Sequence, residues 1–117
     1  MDRKALLKAT IAGTIGQLAM VIAGHFIPVI KDQIFAIGGM IISLLAAVWF
    51  VRLAPAGWVY SLLGGAIAGG VCALIGILVS AALGDVPLVV VAFGTCASAV
   101  AGVAGGALGH LIRPRTT

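Results

Sequence analysis

Apolar residues run along this chain in four long blocks, about 5–27, 34–53, 57–83 and 88–112, separated by short polar or turn-forming stretches. Each block reaches or exceeds the roughly 20 residues that a helix needs to cross a hydrocarbon core of about 30 Å. None alternates with the period of two expected of a membrane-spanning strand, and all are longer than one. In lipid the backbone groups must be paired within the segment. The blocks therefore predict helices despite β-branched residues such as Ile11, Val48 and Val91. The last two blocks are the longest and must tilt or project beyond the core.

Turn chemistry falls where the blocks end. Pro28 and Lys31-Asp32-Gln33 divide the first two, and Arg52 with Ala54-Pro55-Ala56-Gly57 divides the second and third. Trp58 and Tyr60 follow as interfacial anchors. Gly84-Asp85-Val86-Pro87 divides the last two, with Gly suited to end a helix and Pro to begin one. All three connections are short, which predicts antiparallel hairpins. The expectation is one all-α integral membrane domain over residues 1–117, a compact bundle of four transmembrane helices.

The third block shows how such a bundle would close. Ser61, Gly65, Ala68, Gly69, Cys72, Ala73, Gly76 and Ser80 share one broad helix face, and Leu63, Ile67, Val71, Leu74 and Leu78 share the other. In the fourth block Gly94, Ser98, Gly102 and Gly106 recur every four residues, with Ala97, Ala101, Gly105 and Gly109 alongside. The second sets Ala36, Gly39, Ser43, Ala46 and Ala47 against Ile34, Ile37, Ile41, Leu44 and Val48. The first sets Thr10, Gly13, Thr14, Gln17 and Gly24 against Ile11, Ile15, Leu18 and Ile22. Small faces let helix backbones approach in lipid, where no hydrophobic force drives them together. Gly65, Gly69, Gly76, Gly94, Ser98, Gly102 and Gly106 are thus the expected packing residues, with the third and fourth helices the closest pair. A shift of 56 residues lays Ile11-Ala12-Gly13 on Ile67-Ala68-Gly69 and Leu18 on Leu74. That alignment admits a parallel two-hairpin pseudo-repeat about an axis along the membrane normal.

Composition agrees with burial in lipid. Apolar residues make up 62% and charged residues 9% of the chain, against about 45–50% and about 25% in soluble domains. The mean hydropathy is +1.28. The net charge of +4 is mainly a topology signal: Arg3, Lys4, Lys8, Arg52, Arg113 and Arg115 fall on one side, and only Lys31 falls on the other. Both termini are therefore expected in the cytoplasm, and a bacterial inner membrane is the expected location. No basic cluster interleaved with aromatics points to nucleic acid. Two arginines in the tail fall short of a polybasic lipid-binding cluster. Val21-Ile22-Ala23 would pass as a signal-peptidase site. However, Thr10, Gly13, Thr14, Gly16 and Gln17 interrupt the preceding run, so the first helix is expected to remain.

Candidate chemistry is sparse. An ionisable residue inside a membrane is the default pointer to function, yet Asp2, Asp32 and Asp85 lie at ends or turns and His25 and His110 near opposite interfaces. Cys72 and Cys96 form no CxxC and no zinc spacing, and read as small apolar residues. No serine is paired with a base, and there is no phosphate loop and no metal set. No enzyme activity and no cofactor are expected. Gln17 is the one strongly polar side chain near a midplane and forms a stripe with Thr10 and Thr14. The stripe reads either as an interhelical hydrogen bond or as the lining of a polar path. Size and helix count are similar to those of small multidrug-resistance transporters, but the membrane-embedded glutamate of that family's first helix has no counterpart here. Two roles remain. One is a packing, scaffold or accessory protein whose glycine faces meet a second copy or a larger complex. The other is a minimal oligomeric channel or transporter lined at Gln17.

Overall fold

A computed structural model describes residues 3–27, 35–54, 57–84 and 86–112, apart from the side chains of Phe35 and Ala36. The expected turn residues Pro28, Lys31, Asp32, Gln33, Pro55, Ala56 and Asp85 and the tail Arg113-Pro114-Arg115 lie outside the described residues, as does Asp2. The described chain is helical: α1 Arg3–Phe26, α2 Phe35–Leu53, α3 Trp58–Ala82 and α4 Leu88–Ile112. Three of these, α1, α3 and α4, are long and apolar enough to cross a membrane. The helix α2 has 19 residues, which extend about 28 Å at the rise of an α-helix.

The turn between α3 and α4 works as its sequence implies. Leu83 N–H donates to the Val79 carbonyl at 3.0 Å, and Gly84 N–H to the Ala81 carbonyl at 3.0 Å. Gly84 takes φ +79°, a left-handed conformation that costs glycine little. Pro87 then precedes α4, and its carbonyl accepts from Val90 N–H at 3.0 Å. At the other end of α3, Gly57 caps the helix in an extended conformation with no side-chain hydrogen bond.

The four helices form a bundle 50 Å long and 21 Å across. The contact between α3 and α4 is the most extensive; α2 packs on both, and α1 packs on α2 and α3. Among the described residues α1 and α4 do not meet, so they flank a central α2–α3 pair. Register follows from individual contacts. Gly65 lies against Gly102 and Gly69 against Ser98, which sets α3 and α4 antiparallel. Gly13 lies against Cys72 and Gly76 against Gln17, which sets α1 and α3 parallel.

Size sorts residues between inside and outside. Ser61, Gly65, Ala68, Gly69, Cys72, Ala73, Gly76 and Ser80 of α3 are all buried, with Gly64 and Gly70 beside them. In α4 the buried residues are Ser98, Ala101, Gly102, Gly105, Gly106 and Gly109, while Gly94 is half-buried. Outside lie Ile11, Ile15, Ile37, Leu45, Leu63, Phe93, Val100 and Leu111. A water-soluble domain hides such side chains; here they form the outer coat. The two stripes of α4 have separate partners. Gly102 and Gly106 face backbone carbonyls of α3, at Gly65 and Ser61, and Gly105 faces the Leu44 carbonyl of α2. At the end of the bundle that holds the N-terminus, Phe50 and Val51 cluster with Ala5, Ala9 and Ala68.

Candidate functional site

Gln17 sits 14 residues beyond the start of α1, about 21 Å along the helix. It is 2% exposed. Its Nε2 donates to the Gly39 carbonyl at 2.9 Å and to Ser43 Oγ at 3.2 Å. The same nitrogen lies 3.9 Å from Cys72 Sγ, so its two amide hydrogens serve three acceptors. The carbonyl acceptor also fixes which end of the amide is nitrogen. Ser43 Oγ in turn donates to the Gly69 carbonyl at 3.0 Å. Cys72 Sγ donates to the same carbonyl at 3.3 Å and lies 3.8 Å from Ser43 Oγ. One polar cluster thus ties α1, α2 and α3 at a single depth.

Glycines make room for this cluster. A Cβ on Gly76 would stand 2.8 Å from Gln17 Cβ, and one on Gly39 would meet Gln17 Oε1 at 3.4 Å. One turn earlier, a Cβ on Gly13 would reach Ala46 Cβ and Cys72 Sγ at 3.0 Å. An amide in lipid costs several kcal/mol unless it is paired; here the small faces let it reach a carbonyl and a hydroxyl on α2. Gln17→Leu and Ser43→Ala should each lower stability by about 1 kcal/mol or less. Both remove the same bond, so the double variant should lose less than the sum. Unfolding in mixed micelles reads this directly.

The expected stripe does not run on from Gln17. Thr14 Oγ1 donates to the Thr10 carbonyl of its own helix at 2.8 Å, a local bond of the kind Ser and Thr make within helices. Thr10 is half-buried and lines a surface groove instead. That groove, about 270 Å³ between α1 and α3, and a second of about 470 Å³ between α2 and α4 are both apolar, and neither is lined by Gln17. Two other hydroxyls, Ser80 Oγ and Thr95 Oγ1, are buried without a hydrogen-bond partner, and nothing in the packing explains them.

The helix ends bring together a pair that sequence reasoning did not. Ser61 Oγ lies 3.2 Å from His110 Nδ1, and the Trp58 ring lies 4.0 Å from the His110 ring at an interplanar angle of 38°. The two residues are far apart in sequence, and only the antiparallel α3–α4 register makes them neighbours. Ser61 is 1% exposed, closed over by its surroundings. This geometry fastens the start of α3 to the end of α4. His25, near the opposite end, meets the Phe26 ring edge-on at 5.1 Å.

The cysteines are separate: Cys72 is buried in the polar cluster, Cys96 is exposed on the outer surface, and both are free thiols. Among the described residues no three His, Cys, Asp or Glu side chains are grouped to hold a metal ion. Sequence reasoning also missed the partners of Gln17, namely the Gly39 carbonyl, Ser43 and Cys72, and the Gly69 carbonyl that Ser43 bonds in turn. The small face of α2 was visible, but not which helix it would turn toward. No family model, no curated protein and no solved structure matches the chain.

Proposed function

We propose that the protein is a small integral membrane scaffold or accessory subunit, with a closed bundle and a role exerted through its outer surface. One observation carries this reading. Among the described residues the one strongly polar side chain at mid-depth has its amide hydrogens committed to Gly39 and Ser43 of α2 and is 2% exposed. A residue lining a path must offer its polar atoms to what passes.

The same packing changes how a partner would be met. The glycine faces of α3 and α4 are occupied within the chain, so they serve to build the bundle. A second copy or a larger complex would instead meet the branched outer coat, for instance Ile37, Met40, Leu44 and Val100 along the α2–α4 groove. In this reading all four helices cross the membrane, because the short connections leave α2 no route but back across. The basic ends face the cytoplasm, and the membrane is a bacterial inner membrane. The parallel repeat finds less support. A two-fold exchange of the hairpins would make α1 and α4 meet as α2 and α3 do, and among the described residues they do not.

Two experiments test the proposal. Purification from native membranes should recover a membrane protein at fixed stoichiometry with this chain; recovery of the chain alone as a monomer would contradict an accessory role. Reconstituted vesicles should show the same solute and ion flux for the wild type and for Gln17→Leu that still assembles. A flux that Gln17→Leu abolishes would favour the channel or transporter reading.

A further inference from the structure

We propose that the groove between α1 and α3 binds one anionic phospholipid, with an acyl chain between the helices and the phosphate on Arg3. The inference rests on the membrane reading above. Leu6 and Leu7 of α1 and Ile67 and Val71 of α3 form the walls, Thr10 adds a hydroxyl, and Arg3 stands at the mouth. The groove is open along its length and holds about 270 Å³, so it takes part of a chain laid along the helices.

Arg3 of α1 lines the polar end of the slot, and the helix period carries the α3 wall on toward Tyr60. The parallel register that sets Gly13 on Cys72 and Gln17 beside Gly76 also brings the first turn of α1 level with the first turn of α3. Tyr60 lies in that turn, seven residues before Ile67 and eleven before Val71, hence on the same face of α3. It is 48% exposed. A guanidinium and a phenol thus share the depth at which a chain lying in the slot would place its phosphate. Arginine binds phosphate in a bidentate fashion, and tyrosine belongs at the headgroup level. Lys4 and Lys8 point about 100° and 140° away from Arg3 around α1. The chain's carboxylates, Asp2, Asp32 and Asp85, all lie outside the described residues, and Asp2 adjoins Arg3 in sequence. A zwitterionic headgroup offers Arg3 the same phosphate but offsets its charge with an ammonium, so an anionic headgroup gains more from Arg3.

Native mass spectrometry of the detergent-solubilised protein, titrated with phosphatidylglycerol or phosphatidylcholine of identical chains, tests this. The wild type should bind the first phosphatidylglycerol about five-fold more tightly, the effect of one cation near a membrane surface. Arg3→Gln should remove that preference and Lys8→Gln should keep it. Val71→Trp, which fills the slot, should weaken binding of both lipids. A preference that survives Arg3→Gln, or that Lys8→Gln reduces equally, would overturn the site in favour of a diffuse surface potential. Carbonate extraction of the same variants from vesicles separates the two claims. Protein that stays inserted without a lipid preference refutes only the site, whereas protein that washes off refutes the membrane reading.

Discussion

Gly102→Ala should weaken the bundle by about 1–3 kcal/mol, the usual cost of forcing extra volume into a packed interior. The added methyl would be driven onto the Gly65 carbonyl, with Gly69 Cα 3.2 Å away on the other side. Backbone on a neighbouring helix cannot rotate aside as a side chain can. The helices must separate, and the adjoining contacts of Gly106 with Ser61 and Gly69 with Ser98 separate with them. Alanine also favours a helix by about 1 kcal/mol over glycine, so the measured loss is net of that gain. Gly16→Ala in α1 is the matched control. Its new methyl would meet only Ile42, nearest at 3.3 Å, a half-buried side chain with room to shift. It should be neutral or stabilising by up to about 1 kcal/mol. Denaturation of both variants in mixed micelles checks the contrast, and equal losses would contradict the carbonyl-contact account.

Gly64→Ala should cause a loss of similar size, about 1–3 kcal/mol, for a different reason. Here the obstacle is a ring: a Cβ on Gly64 would fall within the Phe50 side chain, which is 2% exposed. Phe50 plugs the end of the bundle that holds the N-terminus, alongside Val51, Ala5 and Ala9. A ring can be shortened where a backbone cannot. Phe50→Leu alone should cost about 1 kcal/mol or more through lost packing. Combined with Gly64→Ala it should restore part of the loss, so that the double variant is more stable than the sum predicts. Gly102→Ala, which meets backbone, should gain nothing from Phe50→Leu. Strict additivity of Gly64→Ala with Phe50→Leu would show that the two residues do not interlock.

The contrast between these glycines marks what sequence could reveal. Spans and helix faces were legible because lipid enforces helices and because small and branched residues separate cleanly at 100° per residue. The stripe Gly94, Ser98, Gly102 and Gly106 was visible as a packing face; that Gly102 and Gly106 serve α3 while Gly105 and Gly109 serve α2 was not. Helix rotation and pairing are set by contacts between residues distant in sequence. The interlock of Gly64 with Phe50 has no periodic signature, since it joins two single positions. Gln17 stood out as a lone amide among apolar neighbours, but its partners are a backbone carbonyl, a hydroxyl and a thiol on other helices. A carbonyl is present at every residue, so no side-chain motif announces one. The Ser61–His110 contact was hidden in the same way by the antiparallel register.

Gln17 is where the scaffold reading and the conduction reading part. Water-edited solid-state NMR of the reconstituted protein measures how fast polarisation passes from mobile water to the Gln17 side-chain amide. With that amide bonded to Gly39 and Ser43 and 2% exposed, transfer should be absent at mixing times that already light up the exposed Arg52 at the end of α2. Transfer to Gln17 as fast as to Arg52 would contradict a closed bundle and place water at the centre of the membrane.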